Sequence, residues 1–122
     1  IVMIIDTRST KLKRFVLSEE ISANNIINFV EDWDEGRLKI SLKSEPVPIT
    51  QPDAVFTLVG TTFESIVFDQ SKDVLVKFYA PWSAHCKKSA PIYEQLAKML
   101  KHNTNLIIAK IDSTVNENEY VN

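Results

Sequence analysis

The stretch APWSAHCKKSAP, residues 80 to 91, gathers the side chains best suited to covalent chemistry. Cys86 is the single cysteine of the chain, with His85 beside it and Ser83 three residues before it. A thiol acts through its thiolate, and a place at the start of a helix favours that anion through the free backbone N–H groups and the helix dipole. One cysteine makes no internal disulfide and no multi-cysteine zinc cluster. One Cys next to one His also falls short of a metal ligand set, so neither a metal nor another cofactor is expected. His102 has no partner that the sequence identifies. A lone Cys is more often an inert small hydrophobe than a nucleophile, so the surrounding elements must decide its role.

Those elements follow from apolar spacing. Residues 1 to 5 (IVMII) and 13 to 17 (KRFVL), separated by a polar stretch, predict a hairpin whose first strand is buried. Ile26, Phe29, Val30 and Trp33 then repeat at helical spacing, with Ser22 suited to cap the helix and Gly36 to stop it. A short amphipathic piece, Leu38 to Leu42, leads into SEPVPITQP, whose three prolines predict a linker. Beyond it, residues 55 to 59, 74 to 80 and 106 to 112 predict strands. A short helix follows the first, with Thr61 and Glu64 as its capping box. Residues 83 to 101 predict a second helix, kinked at Pro91. Strands and helices alternating in this way imply a parallel βαβ arrangement.

Composition excludes several functions. The net charge of −2 offers no footprint for nucleic acid or an anionic membrane. No apolar run approaches the roughly 20 residues of a membrane span, and residues 1 to 5 lack the features of a signal peptide. Two glycines leave little scope for a Gly-rich phosphate loop.

The segments VLVKFYAPW, HCKKSAPIYEQLAK and IAKIDST together resemble a catalytic thioredoxin-like domain of the protein disulfide isomerase family. The shared stretch covers about residues 59 to 120. The family site reads Trp, Cys, Gly, His, Cys, Lys, and the matching positions are Trp82, Ser83, Ala84, His85, Cys86 and Lys87. Two thiols are needed there because one attacks a substrate disulfide and the other resolves the mixed disulfide. Ser83 stands at the attacking position and Cys86 at the resolving one, so the redox couple is expected to be absent. Two origins fit Ser83, natural degeneration and a deliberate one-atom replacement.

The resemblance also implies a buried carboxylate where Lys77 stands, a group that moves protons for the resolving thiol. Lys110 matches a lysine common in the family, so two ammonium groups would approach one region of the sheet. The plainer arrangement is that their stems pack on the sheet and carry the charge to water. Trp82 and Tyr79 are either a recognition surface or core.

By the same resemblance, residues 1 to 43 are the C-terminal half of a non-catalytic thioredoxin-like domain, 44 to 53 a Pro-rich linker, and 54 to 122 the N-terminal half of a catalytic one. The expected fold class is α/β and thioredoxin-like, a mixed sheet flanked by helices. Its two halves would assemble in permuted order within one chain, residues 1 to 18 completing the sheet, or by swapping into a homodimer. The implied partners are unfolded or disulfide-bonded proteins, with no nucleic acid and no membrane, in the endoplasmic reticulum lumen. A redox-inactive module that binds polypeptides or scaffolds domains is the rival, and a regulatory monothiol at Cys86 a third reading.

Overall fold

A computed structural model describes residues 1 to 121, which fall into two compact units, Ile1–Leu42 and the remainder from Lys43. In the first unit, β1 (Met3–Asp6) and β2 (Lys13–Val16) pair antiparallel, Ile4 opposite Phe15 and Asp6 opposite Lys13. The first strand is not buried as a whole. Met3 and Ile5 are exposed while Asp6 is buried, because a two-stranded ribbon covers one face only and the pleat alternates.

Helix α1 (Ala23–Asp34) begins where Ser22 accepts a hydrogen bond from the Asn25 amide and buries Phe29. It ends before Gly36, whose φ of 75° lies in the left-handed region that glycine enters without strain. The expected piece at Leu38 to Leu42 forms no helix or strand: the Ser41 amide instead donates to the Arg14 carbonyl at 2.7 Å, drawing the segment along β2. Asp6 organises the unit in a way the sequence reading took for an ordinary turn. It accepts hydrogen bonds from the backbone and guanidinium of Arg8 and from the Trp33 indole, and Arg8 stacks 4.2 Å over the Trp33 ring.

The second unit contains β3 (Phe56–Leu58), α2 (Gly60–Val67), β4 (Asp73–Tyr79), α3 (Ala84–Met99) and β5 (Leu106–Asp112). The strands are parallel in the order β3-β5-β4. Period-two alternation sorts the side chains. Leu58, Ala109 and Ile111 pack with Phe63 of α2, while Ile108 packs with Val55 and Ala97 of α3. The cap of α2 differs from the expected pair: Val59 is the N-cap residue and its amide donates to Thr62 Oγ1 at 3.1 Å, because the helix starts two residues earlier. Helix α3 runs through Pro91 as one element.

Among the described residues β1 and β2 pair with each other, and their unit has its own buried residues, Phe15 and Phe29, and its own Asp6 network; the expected completion of the second unit's sheet by residues 1 to 18 is not shown.

Residues 43 to 45, at the start of the proline-rich stretch, are fixed within the second unit through Asn116, which is 5% exposed. Its Oδ1 accepts from the Glu45 and Gly60 amides, both at 2.9 Å. Its Nδ2 donates to Glu45 Oε1 and to the Asp112 carbonyl. Gly60 suits this junction because a Cβ there would lie 2.7 Å from the Lys43 carbonyl oxygen. The Gln51 side-chain amide donates to the Thr57 carbonyl and accepts from its N–H, occupying the outer edge of β3 like a short strand.

Candidate functional site

The connection from β4 to α3 sets the site. The Ser83 amide donates to the Ala80 carbonyl at 3.1 Å, turning the chain, and the Ser83 hydroxyl accepts from the Cys86 amide at 3.4 Å as the helix N-cap. Ser83 therefore has a structural task at the position where a first thiol was sought. Cys86 follows in the first turn of α3, half-buried. Its thiol is held below the ordinary range, first by a backbone hydrogen bond from Ala80, then by the Ser83 hydroxyl and, more weakly, by the charge of Lys77. Partial burial opposes them. Ala84 and His85 are exposed, and Trp82 is 77% exposed. His102 lies at the far end of α3, its Nδ1 3.1 Å from the Met99 carbonyl.

Lys77 and Lys110 come together below Cys86. They are register partners on β4 and β5, so both point to the face that α3 covers. Lys77 is half-buried. Its ammonium donates to Ser89 Oγ at 2.7 Å and reaches toward the Cys86 carbonyl at 3.5 Å. Lys110 places its ammonium 5.9 Å from the Tyr79 ring centroid, and Lys77 lies 5.5 Å from that of Tyr93. With Cys86, Tyr79 and Glu94 these lysines line a cavity of about 140 Å³. Burial pushes the Tyr79 and Tyr93 phenols up. The Tyr93 hydroxyl sits 2.6 Å from the Ala109 carbonyl and 3.0 Å from that of Leu75, tying α3 to two strands. Among the described residues no group of three or more His, Cys, Asp or Glu could hold a metal ion.

Tyr93 and Glu94, which line the cavity, and Ser89, which holds Lys77, are residues that the sequence reading missed. Their signal was present: 86, 89, 93 and 97 lie at helical spacing on one face of α3, ending in buried Ala97.

The model of the family described as Thioredoxin matches residues 54–121, the stretch that holds the cavity, the capped helix and all three parallel strands. The chain belongs to this family. Within the thioredoxin family it is similar to protein disulfide-isomerases. Protein disulfide isomerase-like 1-3 of Arabidopsis thaliana is 41% identical over 115 residues, which cover 94% of this chain and 20% of that protein. Human Protein disulfide-isomerase A4 is 45% identical over 106 residues, 86% of this chain and 16% of that protein. The chain thus spans a fifth or less of these relatives. The solved first thioredoxin domain of mouse Protein disulfide-isomerase A4 aligns at 38% identity with a TM-score of 0.48, covering 57% of this chain and 50% of that one. The chain is thus a thioredoxin-family segment, similar to disulfide-isomerases, with a serine three residues before its single cysteine.

Proposed function

We propose that this chain is a segment of a protein disulfide isomerase of the endoplasmic reticulum lumen, acting on unfolded or disulfide-bonded proteins, whose site here has lost dithiol chemistry. The observation that carries the reading is Ser83 at the N-cap of α3 with the chain's single cysteine three residues on. A hydroxyl forms no disulfide, so Cys86 has no partner with which to cycle. Insulin reduction by the chain should equal that of its Cys86→Ala variant, and turnover above that background defeats the reading. Ser83→Cys should restore a redox-active pair. Lys77 cannot serve as the acid that relays protons to a resolving thiol, so adding Lys77→Glu should speed resolution at neutral pH. An unchanged resolution rate would remove Lys77 from the proton path.

Exposed Trp82, next in sequence to cavity-lining Pro81, favours a second reading, a redox-inactive module that binds polypeptide. Saturable quenching of Trp fluorescence by a reduced, alkylated polypeptide, lost in Trp82→Ala, would support it. No saturation would exclude it.

A further inference from the structure

The cavity beneath Cys86 holds an unusual charge arrangement. Lys77 and Lys110 are side-by-side neighbours on parallel strands, both half-buried and both on the α3 face. Like charges placed so repel. Nearby groups answer it incompletely. The aromatic rings of Tyr79 and Tyr93 and the hydroxyl of Ser89 supply dipoles and no countercharge. Glu94 is the carboxylate in the cavity wall, and its Oε1 accepts from the Ala54 amide at 3.1 Å; among the described residues no ion pair joins it to a lysine. Lys110 makes no hydrogen bond among those residues, leaving its ammonium protons available.

We propose that this cavity is a receptor for a carboxylate group, held between the Lys77 and Lys110 ammoniums and set beside the Cys86 sulfur. Its volume of about 140 Å³ takes such a group with one or two methylenes, since a water molecule's share of the liquid is about 30 Å³. The lining sets three lysines, Lys77, Lys87 and Lys110, against the single carboxylate of Glu94, an excess of positive charge that an anionic group answers. The carboxylate is either a free small acid or one borne by a polypeptide. This assignment stands independently of whether the chain has lost dithiol chemistry.

The test uses the full chain, in which a single cysteine makes alkylation report Cys86 alone. Iodoacetate and iodoacetamide react alike: the thiolate sulfur displaces iodide from a methylene, an S–C bond forms and a C–I bond breaks. They differ in carrying a carboxylate or a neutral amide. The ratio of their rate constants should be at least about tenfold higher in the native chain than in the same chain unfolded in urea, equivalent to about 1.4 kcal/mol of differential attraction. An equal or lower native ratio overturns the proposal. Lys77→Met with Lys110→Met, its fold checked by circular dichroism, should return the ratio to the unfolded value. Persistence of the high ratio there assigns it to exposed Lys87 and Lys88 and also overturns the proposal. Should the double variant fail to fold, protection of the native chain decides. Slowing of the iodoacetate reaction by sodium acetate and by an N-acetyl-glutamyl peptide amide at equal concentration supports a site for carboxylates in general. Slowing by the peptide alone supports a polypeptide carboxylate, and slowing by neither, against sodium chloride at equal ionic strength, overturns the site.

Discussion

Replacing Asn116 by alanine should destabilise the second unit more than any change at the exposed rim of the site. The substitution deletes four hydrogen bonds of 2.8 to 3.0 Å. Their losses are unequal. Glu45 is exposed and its groups turn to water, whereas Gly60 is buried, so its amide is left without a partner. An unsatisfied buried donor costs about 1–3 kcal/mol. Adding the half-buried Asp112 carbonyl and the lost packing brings the expected loss to about 2–4 kcal/mol. For a unit of this size that lowers the midpoint of thermal unfolding by about 10–25 °C. Circular dichroism on heating gives the midpoint, and amide exchange at Gly60 shows whether this donor has been freed. Asn116→Asp is the control: it keeps acceptors for Gly60 and Glu45 but sets a carboxylate against Glu45, so its loss should be smaller than that of alanine at pH 4 and grow toward pH 7. An alanine variant within about 0.5 kcal/mol of the parent, the range of an ordinary surface change, with unchanged exchange at Gly60, would refute the reasoning.

Gly60→Ala should cost about 1–3 kcal/mol, because the added methyl meets the backbone oxygens of Lys43 and Glu117 at 2.7 and 2.9 Å; urea unfolding measures it. Ser83→Ala should remove about 1 kcal/mol of helix capping. It should also raise the Cys86 pKa by deleting one of the hydrogen bonds that lower it, seen as a shift of the alkylation profile to higher pH. Asp6 is held well below the usual carboxylate range by Arg8, chiefly through the side-chain hydrogen bonds. A depressed folded pKa contributes stability above the unfolded value, so the first unit should weaken as pH falls below about 4. In Asp6→Asn that slope should flatten, as acid titration followed by Trp33 fluorescence would show.

Much of the fold was legible because period and composition acted together. The run LIIAKID became a strand over the expected residues, and Ser22 and Gly36 bounded α1 as their chemistry requires. The run IVMII misled, since five apolar residues read as a buried strand while a two-stranded ribbon leaves every second one in water. Thr61 and Glu64 satisfied the capping pattern, but Val59 is the N-cap and Thr62 bonds its amide; such patterns fix a helix start only within about two residues. In the site, the meeting of Lys77 with Lys110 could be expected from a resemblance. That Lys77 would turn to Ser89 could not, because it depends on the register of a helix against a sheet. Asn116 was invisible for the same reason: an Asn after a strand reads as a turn, and only tertiary structure brings Glu45, Gly60 and Asp112 around it.

The Gln51 amide on β3 gives the three-stranded sheet a direction. One margin is sealed by a side chain imitating backbone, while β4 at the other margin has no strand partner among the described residues and carries exposed Leu75 and Phe78. A sheet with a single free margin cannot lengthen by repeated addition through both sides. Two copies that meet through β4 each consume the free margin of this sheet, so association by this route ends at a pair instead of propagating into a fibre.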